Sequence, residues 1–180
     1  MKKRILPYIL LVIMCFGVLR PLHVQAAEPL DPEAQASLTL HYQKDGIAFA
    51  GLQIGIYRIA EAFPDGSFGL IEPFSSYPVD IHGITAQEQW QHVAQTLCSC
   101  IVAGQIAPDC ETKTDPEGTA SFPGLKTGLY FVREVVAENN GGTYIFNQFL
   151  VYVPTPRLDG SFDYEVEANP KSTNFVPKTQ

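Results

Sequence analysis

Thr114-Asp115-Pro116-Glu117-Gly118, then Phe122, Gly124-Leu125 and Gly128-Leu129-Tyr130-Phe131-Val132-Arg133-Glu134: this stretch decides the fold. Asp-x-x-Gly is turn chemistry, because a short carboxylate accepts nearby backbone N–H groups and Gly tolerates a left-handed backbone. Gly124 and Gly128 turn the chain again. After Gly128 the residues alternate in the strand period, so Tyr130 and Val132 point to one side and Glu134 follows on the same face.

The strand pattern extends in both directions. Upstream, Leu38, Leu40 and Tyr42 alternate with Ser37, Thr39 and His41, and Leu52, Ile54 and Ile56 repeat the alternation beyond Asp45-Gly46 and Gly51. Pro64-Asp65-Gly66-Ser67 is a turn before a short strand at 68–71. Downstream, strands are expected over 119–123, 128–137, 143–154 and 161–168, punctuated by Asn140-Gly141-Gly142 and Asp159-Gly160. One segment breaks the period. Thr85 and Glu88 form a capping box, and Trp90, Val93, Ala94, Leu97 and Ile101 share one face of a helix near 85–104, with Gly104 as its terminating residue. Trp90 belongs to that apolar stripe and is expected to pack in the core. The fold class is mainly β: a sandwich over 37–168 with one inserted α-helix.

The ends are addresses and arms. Residues 1–26 have the form of a secretory signal, with Lys2, Lys3 and Arg4 before the apolar run 5–19 and cleavage expected after Ala26. Residues 27–36 form an N-terminal arm and 169–180 an extended C-terminal arm. Removing the signal takes four of the 12 basic residues and leaves 19 acidic ones. So acidic a chain offers no basic patch for nucleic acid, and no second apolar stretch would hold it in a membrane. Cys98, Cys100 and Cys110 would remain, an odd number, with a local bridge from Cys98 or Cys100 to Cys110 expected in an oxidising compartment. Their spacing lacks a fourth zinc ligand, so no metal and no cofactor is expected. The scattered His41, His82 and His92 give no nucleophile-elbow pattern, and the chain is read as not an enzyme.

The run from Thr114 to Glu134 resembles the Cna protein B-type (prealbumin-like, SpaA-like) domain of Gram-positive surface proteins. The hairpin around Asp45-Gly46, the helical insertion and the ending Tyr164-Glu165-Val166-Glu167-Ala168-Asn169-Pro170-Lys171 are similar to the N-terminal domain of sortase-assembled pilins. The resemblance implies a prealbumin-type fold and structural or adhesive work at the cell wall, with other pilin subunits and a sortase as partners. Two covalent chemistries come with it. In an intramolecular isopeptide bond, a lysine of the first strand attacks an asparagine of the last beside a buried acid. Glu134 matches the acid and Asn169 lies near the asparagine, but Tyr42 stands at the lysine position and the nearest lysine is Lys44. In the intermolecular bond, Lys171 matches the acceptor lysine, with Glu165 or Glu167 as proton acceptor. Val176-Pro177-Lys178-Thr179 resembles a sorting signal, though no apolar span follows it here. The alternative reading is a soluble secreted module that binds a host protein or glycan through loops at one end of the sandwich.

Overall fold

The computed structural model describes residues 29–139 and 142–176; the signal segment and Pro177, Lys178 and Thr179 lie outside the described residues. The first strand, β1 (Gln35–His41), buries Ala36, Leu38 and Leu40, as its alternation requires. A short hairpin, β2 (Gln43–Lys44) and β3 (Ile47–Ala48), leads to the long β4 (Gln53–Ala62) and to β5 (Phe68–Leu70). The helix α1 (Gln87–Gly104) follows, then β6 (Cys110–Lys113), β7 (Thr119–Lys126) and β8 (Gly128–Val132). Next come β9 (Val135–Asn139), β10 (Gly142–Phe146) and β11 (Phe149–Val153). The chain ends with β12 (Thr155–Pro156), β13 (Phe162–Asp163), β14 (Glu165–Ala168) and β15 (Ser172–Val176).

Three sheets share one core. β14, β1 and β7 form the first, with β14 parallel and β7 antiparallel to β1. The second runs β11-β8-β4-β5, and β6 also pairs with β4. The third is β15-β10-β9. Leu38 and Leu40 from the first sheet meet Ile54, Ile56, Tyr130 and Val132 from the second, and Tyr144 and Phe146 of β10 complete the packing. Burying each of these side chains contributes about 2 kcal/mol. The opposite face of the second sheet is also covered: Tyr57, Ile59, Leu129 and Phe131 pack against Val93, Ala94, Leu97 and Ile101 of α1. Trp90 meets Tyr152 edge-on at 5.8 Å in that second cluster, as its place on the stripe predicts.

The turn at 114–118 joins the two layers instead of closing a hairpin, since β6 before it pairs with β4 and β7 after it pairs with β1. The Asp115 carboxylate accepts the N–H groups of Glu117 (3.0 Å) and Thr119 (2.8 Å). Buried Thr114 donates its hydroxyl to the Phe49 carbonyl (2.6 Å) and accepts the Leu52 N–H (2.9 Å). Gly118 sits at φ 79° with its α-carbon against β1's exit, where an added Cβ would lie 2.6 Å from the Tyr42 carbonyl oxygen.

Several expected boundaries shift, each for a local reason. The helix begins one residue later than a Thr85 cap allows: Ala86 is the cap residue, and the Gln89 side chain, not Glu88, reaches back to the N–H groups of Thr85 and Ala86 (both 3.0 Å). Gly104 stays inside the helix and Gln105 takes the left-handed conformation, φ 50°. Gly104 packs closely there, since a Cβ would lie 2.6 Å from the Tyr77 hydroxyl, the tip of a side chain that would have to shift. Neither arm is a free arm along its described length. Leu30 is buried with its N–H on the Pro64 carbonyl, and β15 pairs antiparallel with β10.

Gly118→Ala must force a left-handed backbone on a residue with a Cβ and displace β1's exit as well. The expected loss exceeds about 2 kcal/mol, read as a lower urea midpoint with an unchanged slope.

Candidate functional site

The end of the sandwich where β1 and β14 both finish carries the residues of interest. The two strands run parallel in the register Leu38–Val166 and Leu40–Ala168. The alternation of β14 continues past its end: Glu165, Glu167, Asn169 and Lys171 are exposed, while Val166 and Pro170 are buried. Pro170 has no N–H to give to a ladder, and its ring is taken into the interior. That anchors the chain one residue before Lys171 and leaves the lysine side chain in solvent. The Lys171 carbonyl accepts the Asn147 N–H at 3.2 Å, so the backbone on its other side is held too. Among the described residues no carboxylate lies within 4 Å of the Lys171 amine.

The intramolecular trio is not brought into the interior. Tyr42 occupies the core position expected of a lysine, 1% exposed and edge-on to Phe146 at 5.1 Å. Lys44 lies in the exposed hairpin beyond it, 3.6 Å from Asp45. Glu134 is exposed because β8 ends at Val132, and Arg133-Glu134 form the break before β9. The strand alternation that would carry Glu134 inward stops two residues short of it. Glu134 instead lines a shallow polar groove of about 260 Å³ with Gln53, Tyr57, Glu111 and Arg133. Asn169 is exposed. A lysine must be desolvated to attack an amide and the assisting acid must be buried to hold a proton. Lys44, Glu134 and Asn169 all stand in water.

The tyrosine in the lysine's place is itself unusual. Its hydroxyl is buried with no hydrogen-bond partner, and burial pushes the phenol pKa well above its ordinary value. Tyr130 is likewise raised by burial, against the opposing charge of Arg58, but its hydroxyl donates to the Lys126 carbonyl at 2.7 Å.

Cys98, Cys100 and Cys110 are each partly buried and unbridged in this structure. Cys98 packs on the α1 side of the second sheet and Cys110 on the sandwich-core side, so the sheet stands between them. Burial, and then the neighbouring Asp109 charge, raise the Cys110 pKa. Among the described residues no group of three metal-ligating side chains converges, and no helix is long and apolar enough to cross a membrane. The Val176 backbone ends β15; the rest of the sorting-like tail lies outside the described residues.

One arrangement is absent from the sequence reading. Thr119, His41 and Glu167 come from three neighbouring strands and share the solvent face of the first sheet. His41 Nδ1 lies 3.3 Å from Thr119 Oγ1, and His41 Nε2 lies 3.9 Å from Glu167 Oε2. The outward parity of His41 was legible; its two neighbours, 78 and 126 residues away, were not.

The architecture is thus a mainly β sandwich with one helix on its outer face. No family model and no curated protein matches the chain. Among solved structures it is similar to the full-length major pilin SpaD of Corynebacterium diphtheriae, at 22% identity and a TM-score of 0.49 over 81% of this chain and 31% of that one. It is also similar to the T6 backbone pilin of serotype M6 Streptococcus pyogenes, at 19% identity and a TM-score of 0.48 over 80% of this chain and 29% of that one. The chain spans about three tenths of the length of either pilin.

Two outcomes follow from this geometry. Tyr42→Phe removes an unpartnered buried hydroxyl and keeps the ring contacts, so stability rises by about 1 kcal/mol in urea denaturation. The intact mass of the purified chain is expected to match its sequence with no ammonia lost, because Lys44 and Asn169 both stand in solvent; a mass about 17 Da lower overturns this.

Proposed function

We propose that this chain is a secreted, pilin-like surface subunit of a Gram-positive cell wall, and that Lys171 is the acceptor amine through which a sortase joins it to another subunit. The observation that carries the reading is the presentation of Lys171. It stands exposed at the end of a parallel strand pair, held on one side by buried Pro170 and on the other by the Asn147 N–H. An acceptor amine needs that combination, a mobile side chain on a fixed backbone, so that a large acyl donor reaches it in one geometry. The run from Thr114 to Glu134 and the ending Asn169-Pro170-Lys171 support the same reading through their resemblance to pilin sequences. The work is structural and adhesive rather than enzymatic, and the partners are other subunits and a sortase.

A second reading, a soluble module that binds a host protein or glycan through its loops, is favoured by one feature at the opposite end of the sandwich. Leu158 is fully exposed at the tip joining β12 to β13, next to the turn that exposes Phe63. Solvent-facing apolar side chains on adjacent tips are a means of contact with a partner.

An immunoblot of cell-wall extract boiled in detergent and reductant separates the two. Covalent joining gives a ladder of high-mass bands that collapses in Lys171→Ala. A single band near the monomer mass, found mainly in the medium, overturns joining and leaves the loop-binding reading.

A further inference from the structure

The groove beside Glu134 is used neither by the Lys171 reading nor by the loop tips, and the inference here rests on neither. It lies on the outer face of the second sheet, and the alternation of β4 sets its floor. Gln53, Gly55 and Tyr57 share that face, and Glu111 of β6 stands directly opposite Gly55. Arg133 and Glu134, in the break between β8 and β9, complete a groove of about 260 Å³. Gly55 is the reason a space exists. Its φ lies outside the left-handed region, so a side chain is conformationally allowed there, and a Cβ would lie 3.3 Å from Pro108 and 3.6 Å from Glu111 Oε1. Without one, the floor beside the Glu111 carboxylate is bare backbone.

Two observations mark this as a binding site and not as a gap between solvated side chains. The first is Tyr57. It is only 3% exposed and its ring meets Phe131 at 6.0 Å, yet its hydroxyl has no hydrogen-bond partner among the described residues. Tyr42 carries the one fully buried unpartnered side-chain oxygen among those residues, so the Tyr57 oxygen emerges at the groove that its side chain lines. A side chain buried to that extent is fixed in place, and its free hydroxyl both donates and accepts. The second observation is that opposite charges share the groove without pairing. Among the described residues, Arg133, Glu111 and Glu134 take part in no ion pair within 4 Å. Gln53 Nε2 donates only a long hydrogen bond to Glu111 Oε2, at 3.5 Å.

The chemistry of the ligand follows from this mixture. An anion would face two carboxylates, and a cation would face the guanidinium. The groove is shallow and open to water, where a lone ionic contact contributes little. A neutral polyol suits all the groups at once. Each of its hydroxyls donates and accepts, and hydrogen bonds to a carboxylate or a guanidinium are about twice as strong as neutral ones. Neighbouring hydroxyls on a ring match the paired oxygens of a carboxylate and the forked N–H groups of Arg133. We propose that this groove binds one neutral pyranose residue at the exposed end of a glycan. Glu111 and Glu134 accept from its hydroxyls, Arg133 and Gln53 donate to them, and the Tyr57 hydroxyl meets the edge of the ring that reaches the floor. The volume falls below the range of about 300–1,000 Å³ typical of pockets for drug-sized ligands, so one ring is held and the rest of the chain stays in water.

The test uses the full chain without its signal, isotope-labelled, with its backbone amides followed by NMR. Methyl glucoside, methyl galactoside and methyl mannoside are each added up to about 50 mM. At least one is expected to shift the amides of Gly55, Glu111 and Arg133 saturably, with a Kd of about 1 to 10 mM, as suits a ligand of that size on an open surface. Tyr57→Phe keeps the ring contact and weakens binding about fivefold, and Arg133→Gln weakens it about tenfold. Gly55→Thr fills the floor and abolishes binding. A trisaccharide ending in the same sugar binds as the glycoside does; its failure to bind overturns the glycan end. No saturable shift with any of the glycosides overturns the inference, and so do shifts confined to other parts of the chain. Saturable binding of glycine, phosphate or N-acetyllysinamide in place of the sugars overturns it as well, because charge would then select the ligand. Should Gly55→Thr not fold, Tyr57→Phe and Arg133→Gln decide, the latter altering only an exposed side chain; an affinity unchanged by both overturns the site. The ladder of joined subunits is read separately, so its absence leaves this inference standing, and failure of sugar binding leaves the Lys171 reading standing.

Discussion

The structure depends on the clasp between the Thr114–Gly118 turn and the segment 42–52. Here two sheets that share no ladder are tied together. The Tyr42 N–H donates to the Gly118 carbonyl at 2.8 Å, and the Phe49 N–H donates to the Tyr42 carbonyl at 3.0 Å. The Gly51 N–H donates to the Thr114 carbonyl, and the Thr114 N–H to the Leu52 carbonyl. With the Thr114 hydroxyl between Phe49 and Leu52, the turn satisfies polar backbone that would otherwise be buried unpaired, at a cost of kilocalories per group. Every element near Lys171 is positioned from this clasp: it fixes where β1 ends, and β1 fixes β14.

A similar tie holds the opposite end. Arg58 donates from Nε (3.1 Å) and a terminal nitrogen (2.7 Å) to the Thr127 carbonyl, and the fully buried Thr127 donates its hydroxyl to the Pro32 carbonyl at 2.9 Å. The chain before β1 is thereby sewn to the turn between β7 and β8. Gly128 next to it lets β8 pass β4 closely, since a Cβ would sit 2.3 Å from the Ala60 carbonyl oxygen. The two ties span the sandwich, and the apolar core between them makes the faces rigid enough to present a side chain in a defined place.

Burial accounts for both halves of the picture at the Lys171 end. Tyr42 shows what the interior does to a polar group without a partner: its hydroxyl is trapped and its ionisation suppressed. An amine in that place would be driven neutral, whereas Lys44, Glu134 and Asn169 keep their water. The Thr119–His41–Glu167 row is built from residues that face outward because their sequence neighbours face in. The same alternation that fills the core with Leu38, Leu40, Ala120 and Val166 lines up the polar row behind it.

The sequence by itself determined the strand faces, the helix and its apolar stripe, and the turn residues, because these follow from periodicity and from the φ preferences of Gly, Asp and Pro within a few neighbours. Exposure of Lys171 after Pro170 was legible for the same reason. Only the tertiary structure decided which strands pair, that the Asp-x-x-Gly turn crosses between layers, and that Cys98 and Cys110 lie on opposite sides of a sheet. It also decided the fate of Glu134. A two-residue break after Val132 ends the alternation that would have carried it inward, and no local signal marks that break. The neighbours of His41 come from segments far along the chain. Their meeting is set by the register of β1 with β7 and β14, and that register is chosen by the summed burial of the whole core.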